Sequence, residues 1–191
     1  MKPKRNLCPH CLKPPARCLC DYIVPTPNKV FALILQHPNE GGHPKNTGEL
    51  LHRSLRNSEL QVGESFTPAS LGACLDNAVL LYPGETEEQL EKLTPPEQPS
   101  TLIILDATWR KSRKMLHLNP QLARLPRVSL TDPRTSTYRI RSAEHQHQLS
   151  TLEASCYALQ QLEQNPDRYQ PLLDAFAQYM DKLVTFDPNR R

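Results

Sequence analysis

Glycine is scarce in this chain of 191 residues, with six in all, at positions 41, 42, 48, 63, 72 and 84. They form neither a G-x-G-x-x-G turn nor a P-loop, so a dinucleotide fold or a nucleoside triphosphatase lacks its phosphate-binding element. No G-x-S-x-G elbow occurs, which argues against an α/β-hydrolase. No apolar run approaches the ~20 residues of a membrane-spanning helix. The first residues, MKPKRNLCPHC, lack the apolar core of a signal peptide, so a cytoplasmic location is expected. Tryptophan occurs once, at Trp109. Acidic residues are nearly missing between Trp109 and Arg141, where Asp132 alone stands against nine Lys/Arg. Elsewhere 14 basic face 19 acidic residues, so one basic segment rides on an acidic remainder and points to a polyanion-binding surface. A plain solvated face is the alternative.

What is plentiful is proline, 19 residues concentrated in stiff connections such as Pro25–Pro27 and Pro95–Pro99. Between them lie short, dense apolar runs: Val30–Leu35, Asn77–Tyr82 and Leu102–Leu105, with Arg127–Leu130 as a further strand. Continuous runs of this kind fit strands buried on both faces. Helical patterns intervene at Thr47–Leu55, around Glu85, Glu87, Glu88 and Glu91, from Trp109 onward, at Leu149–Leu162 and at Tyr169–Phe186. The Leu149–Leu162 pattern begins with a serine/threonine cap, Ser150-Thr151. The alternation predicts an α/β domain with a mainly parallel sheet and helices on both faces.

Four of six cysteines fall within thirteen residues, Cys8, Cys11, Cys18 and Cys20, in a C-x2-C-x6-C-x-C spacing. Two close thiolate pairs can complete a tetrahedron around Zn²⁺, and a disulfide framework is unexpected in a reducing compartment. A redox-active thiol cluster, with His10 as a substitute ligand, is the alternative. Residues 1–24 are therefore expected to form a zinc-binding segment and residues 25–191 the main domain. Cys74 and Cys156 read as ordinary buried thiols. The polar loop after Leu35 carries His37, Glu40, His43 and Lys45. Both histidines precede proline, so a ligand-loop role fits better than a catalytic metal.

The strand Leu102–Leu105 ends on Asp106, followed by Thr108, Trp109 and a basic helix. At helical spacing Arg110, Arg113, Lys114 and His117 share one face. Ligands of open α/β sheets bind outside such carboxyl ends, so this tip is the expected site for an anionic, aromatic ligand. Asp106 is either a general base, the cap of the helix that follows, or a group that orients substrate.

Seven ordered blocks, CPHC…CLC, LQHPNE with HPKNTGELL, LLYPG, ILDATWRKSRKML, LPRVSL, STYRIR and LSTLEA, resemble the DTW-domain family. Its motif appears here as Asp106-Ala-Thr-Trp109, with Ala107 standing between the acid and the threonine. The resemblance implies an enzyme that moves the 3-amino-3-carboxypropyl group of S-adenosylmethionine to N3 of a uridine in tRNA, giving acp3U and methylthioadenosine. It also implies a SPOUT-like sheet with a C-terminal trefoil knot. Asp106, Thr108 and Trp109 would be catalytic. Leu81, Tyr82, Pro83, Gly84, Leu105, Asp106, Ser136, Tyr138, Leu149, Ser150, Thr151 and Glu153 would hold the S-adenosylmethionine. Arg110, Lys111, Arg113, Lys114, Arg139 and Arg141 would contact tRNA. The oligomeric state, monomer or homodimer, stays open. Competing readings are a SPOUT-type RNA methyltransferase and a non-catalytic zinc-knuckle RNA-binding module.

Overall fold

The computed structural model describes residues 7–41, 47–83, 87–89, 98–130 and 149–186. Six strands form one sheet: β1 (Phe31–Gln36), β2 (Ser58–Val62), β3 (Ala78–Leu81), β4 (Glu87–Gln89), β5 (Thr101–Asp106) and β6 (Arg127–Ser129). Their order is β2-β1-β5-β3-β6-β4, and every pairing is parallel. The apolar runs thus become strands as their composition dictates. Alternate residues of each run face opposite layers, because successive Cβ atoms point to opposite sides of a sheet. Ala32, Ile34, Val79, Leu102, Ile104 and Val128 join one core cluster; Leu33, Leu35, Ala78, Leu80 and Ile103 join the other.

Three helices cover the first face, α1 (Gly48–Ser54), α5 (Thr151–Leu162) and α6 (Gln170–Thr185). The short α2 (Pro68–Leu71), α3 (Trp109–Leu118) and α4 (Pro120–Ala123) cover the second. Helix α3 buries Ser112, Met115 and Leu116 and leaves Arg110, Arg113, Lys114 and His117 exposed, as its spacing requires. Its C-terminal end is braced by Asn119, which is fully buried. The Asn119 amide donates to the Met115 and Glu64 carbonyls at 2.6 and 2.8 Å, and its oxygen accepts from the Phe66 N–H at 2.7 Å.

Three expectations need correction. The acidic stretch around Glu87 and Glu88 is strand β4, pairing with β6, and not helix. Three residues of cross-strand hydrogen bonding at a sheet edge outweigh a favourable helix-dipole pattern there. Strand β2 escapes a reading by apolar runs, since its side chains are mostly half-buried or exposed at the opposite edge. Cys74 is only half-buried, whereas Cys156 is fully enclosed.

The cysteine segment lies against α6. The Tyr179 hydroxyl donates to the Arg17 carbonyl at 3.1 Å, Lys182 Nζ donates to the Cys18 carbonyl at 3.2 Å, and Tyr22 packs on Tyr179. Cys11 and Leu19 contribute to the same core cluster as α5 and α6. Among the described residues no helix is long and apolar enough to cross a membrane.

Candidate active site at the carboxyl edge of the sheet

From β1 the chain crosses through α1 to β2 on one side. From β5 it crosses through α3 to β6 on the other. Strands β1 and β5 are adjacent, so the crevice between their carboxyl ends is a topological switch point, where open α/β sheets bind ligands. The register puts Gln36 directly opposite Asp106 there.

Asp106 is 6% exposed, and each of its oxygens takes a neutral donor. Gln36 Nε2 donates to Oδ2 at 2.8 Å, and the Thr151 hydroxyl donates to Oδ1 at 2.8 Å. Helix α1 closes over the group: a Cβ on Gly48 would lie 2.3 Å from Oδ2, so only glycine fits. Among the described residues no cation touches the carboxylate. Burial pushes its pKa up, the two donors pull it down, and the nearby Glu40 charge adds to the rise. The result is a carboxylate more basic than an exposed aspartate, held in one orientation by groups from β1, α1 and α5.

Asp106 does not cap α3. Thr108 occupies the N-cap position without a side-chain cap bond, and the Asp106 oxygens point elsewhere. Thr151 reaches the site because α5 starts there. Ser150 accepts from the Glu153 N–H at 3.2 Å, and the Glu153 carboxylate accepts from the Ser150 N–H at 2.9 Å, which fixes the first turn. Ser150 and Glu153 are therefore spent on the cap, and Thr151 is the member of that block that touches the acid.

On the α3 side of the crevice Trp109 is 47% exposed and meets Tyr82 edge-on, with ring centroids 5.5 Å apart. Tyr82 is held by Ser112 (hydroxyls 3.3 Å apart) and by the Arg127 guanidinium 5.5 Å from its ring centroid. The tips of β3 and β5 and the start of α5 thus come together, which brings Leu81, Tyr82, Pro83, Leu105, Asp106, Trp109, Leu149, Ser150 and Thr151 to one edge. Gly84, Ser136, Tyr138, Arg139, Arg141 and His43 lie outside the described residues.

The α3 cations divide into two sets. Lys111 pairs with Glu40 at 2.6 Å and Lys114 with Glu64 at 2.7 Å. Glu64 also takes a 2.6 Å contact from His37 Nε2, while His37 Nδ1 accepts from the Asn39 N–H. Both lysines thereby tie α3 to loops on the β1 side. Arg110 and Arg113 project outward without an ion pair among the described residues. Gln36, Gly48 and Glu64 are not legible as site residues in the sequence, where Glu40 reads only as part of the polar ligand loop. The available signals were weak: a single polar residue ending an apolar run, and a glycine opening a helix.

The four cysteine sulfurs lie within 4.8 Å of one another. The Cys8–Cys20 and Cys11–Cys18 pairs are each 3.7 Å apart. Disulfides are excluded at that distance, whereas a tetrahedron with ~2.3 Å metal–sulfur bonds has edges of ~3.8 Å. Backbone N–H groups of Cys11 and His10 hold the Cys8 thiol down to about 6, while burial and the neighbouring thiols push Cys20 up to about 12, so the cluster by itself favours one thiolate at Cys8. The cluster could hold a metal ion.

The structure is thus an α/β domain with a crevice at the carboxyl edge of a parallel sheet and a cysteine cluster that could hold a metal. The DTW-domain family model matches residues 5–184, and the chain belongs to that family. It is 32% identical over 180 residues to a Drosophila melanogaster protein named tRNA-uridine aminocarboxypropyltransferase 2, covering 89% of this chain and 72% of that relative. A Mus musculus protein of the same name is 34% identical over 174 residues, covering 85% and 58%. An Arabidopsis thaliana protein named tRNA-uridine aminocarboxypropyltransferase A is 29% identical over 137 residues, covering 59% and 51%. The chain thus spans about half to three quarters of the length of these relatives. No solved structure gives a significant match.

Proposed function

We propose that this chain is a tRNA-uridine aminocarboxypropyltransferase, forming acp3U from S-adenosylmethionine and a uridine in tRNA. The observation that carries the reading is the buried, donor-oriented Asp106 at the switch point of a chain that matches the family over nearly its whole length. In the reaction, N3 of the uridine forms a bond to the γ-carbon of the aminocarboxypropyl chain, and the bond from that carbon to sulfur breaks. The sulfur keeps the electron pair and leaves as methylthioadenosine. The N3 proton passes to Asp106 and then to water. Each Asp106 oxygen keeps a second lone pair beside its Gln36 or Thr151 bond, and a raised pKa makes it a stronger base than an exposed aspartate.

A sulfonium activates three carbons, so the protein selects by position which one the base meets. The Tyr82–Trp109 wall and the apolar Leu81 and Leu105 would cover the methyl side. The β3 tip with Gly84, the Leu149–Glu153 turn, and Ser136 with Tyr138 would hold the remainder. Thr108 would anchor the start of α3 beside the reacting atoms. Arg110 and Arg113, with Arg139 and Arg141, would serve the tRNA backbone, while Lys111 and Lys114, expected from the sequence to join them, would hold α3 in place through Glu40 and Glu64.

The thiol cluster would hold Zn²⁺ within a 1–24 segment appended to a 25–191 catalytic domain of a cytoplasmic protein. A SPOUT-like knot in the C-terminal half fits one feature: β6 ends two strands away from β5, while α5, the next described element, starts at the β5 tip. Methyl transfer is the second reading, since the same crevice could present the methyl carbon. Incubation with tRNA and S-adenosylmethionine, then digestion to nucleosides and mass spectrometry, tests the proposal. It predicts a uridine carrying an intact amino-acid side chain; a methylated nucleoside, or none, overturns it.

A further inference from the structure

Helix α1 stands between the two sites described above, and its second residue joins them. One oxygen of Glu49 takes Lys13 Nζ from the cysteine knuckle at 2.8 Å, and the other takes Arg53 Nε at 3.0 Å. Arg53 reaches back to the knuckle through a 3.4 Å bond to the His10 carbonyl. The preceding residue, Gly48, is the one packed on Asp106 Oδ2.

Core packing of the fully buried Leu50 and Leu51 holds the inner face of α1, but its own first turn adds little. The helix spans seven residues, and Thr47 at its N-cap makes no side-chain cap bond. So short a helix is marginal without tertiary contacts. The knuckle, in contrast, is a closed turn: Cys8 N–H donates to the Lys13 carbonyl and Leu12 N–H to the Cys8 carbonyl, at 2.8 and 2.9 Å. Leu12 sits there at φ 55° with 70% of its surface exposed, a left-handed conformation that leucine adopts only when its surroundings impose it. Ligation of Cys8 and Cys11 would impose it, and Lys13 follows directly.

We propose that Glu49 is a positioning residue for Asp106, and that the cysteine cluster sets the geometry of that carboxylate through Lys13, Glu49 and the start of α1. The inference rests on Asp106 being the base of the reaction proposed above. When the clamp holds, Gly48 excludes water from Oδ2. When it is released, the first turn of α1 moves off, water reaches the carboxylate, and its basicity falls toward that of an exposed aspartate. Among the described residues the charge acting on Asp106 is that of Glu40, which is paired with Lys111, and neutral Gln36 and Thr151 touch the carboxylate. None of these is altered by a change at Lys13.

The test is Lys13→Met in the metal-loaded full chain. Loss of a cation alone would raise the Asp106 pKa by simple electrostatics, whereas release of α1 lowers it, so the two accounts differ in sign. Metal content should stay at about one per chain. The Leu51 and Leu55 amides, bonded within α1, should exchange with solvent about tenfold faster. The acid limb of the kcat–pH profile should move to lower pH, with kcat down about tenfold and KM for tRNA unchanged. The conservative Lys13→Arg, which keeps a cation opposite Glu49 and leaves the Arg53 pair intact, should retain both readouts. An acid limb that stays or moves upward with unchanged amide exchange overturns the proposal. So does a Lys13→Arg variant as impaired as Lys13→Met. A wild-type protein inactive on tRNA would overturn the reaction assignment instead, and the exchange measurement would still judge the clamp.

Discussion

Gln36 and Asp106 are cross-strand partners at the carboxyl ends of β1 and β5, joined by a 2.8 Å hydrogen bond from the amide to the carboxylate. The pair sits where the chain turns to opposite sides of the sheet, and Thr151 and Gly48 complete its surroundings. Orientation of the acid is thus shared among three elements far apart in sequence.

Replacing Asp106 with Asn should abolish transfer, by about 10²- to 10⁴-fold in kcat, with the fold retained. The Gln36 amide can turn over and accept from the new NH₂ group, and the Asn carbonyl can still accept from Thr151. The stability effect has a definite sign. Burial raises the native pKa above the unfolded value, so the contribution of Asp106 is fully present below about pH 4 and lost as pH rises through the native value. Thermal melts should therefore find the Asn variant gaining on wild type toward pH 7 and falling back toward it below about pH 4.

Gly48→Ala should cost about 1–3 kcal/mol, because the new methyl meets a buried carboxylate rather than a flexible side-chain end. Urea unfolding measures it, and transfer activity should fall further than stability accounts for, since the methyl displaces Asp106 itself.

The two classes of α3 cation should separate by salt dependence. Arg110→Ala with Arg113→Ala should flatten the slope of log tRNA affinity against log salt by about one to two units. Lys111→Met should leave that slope nearly unchanged. Its partner Glu40 lies on the loop that follows Gln36, so its loss is expected in kcat and melting temperature. Equal slopes for both sets of variants would show that the Glu40 and Glu64 pairs open when RNA arrives.

Cys8→Ser should lower metal content from about one zinc per chain, read by elemental analysis, and loosen the contact of the knuckle with α6. Buried Tyr179 and Leu19 belong to the main core, so a drop in melting temperature should accompany metal loss.

The central strands were legible because their apolar runs are continuous, and the position of Asp106 followed from where one run stops. The cysteine spacing likewise carried its own geometry. Edge strand β2 was not legible, since half-exposed side chains leave no run, and β4 imitated the acidic start of a helix. Gln36 and Gly48 were missed for a different reason. Their importance lies in what they touch across β1, β5 and α1, and a single sequence holds no record of register or of close backbone approach. The division of the α3 cations into paired and free was hidden likewise, because Glu40 and Glu64 are 71 and 50 residues from the lysines they bind.

The central claim is that the crevice beside Asp106 presents the amino-acid carbon of S-adenosylmethionine, and not the methyl, to a uridine. Two parallel incubations with tRNA decide it most directly, one with donor labelled in the methyl carbon and one with donor labelled in the carboxyl carbon. The account predicts carboxyl label in the RNA and methyl label in released methylthioadenosine, with both lost in Asp106→Asn. Methyl label in the RNA, with S-adenosylhomocysteine released, would contradict it.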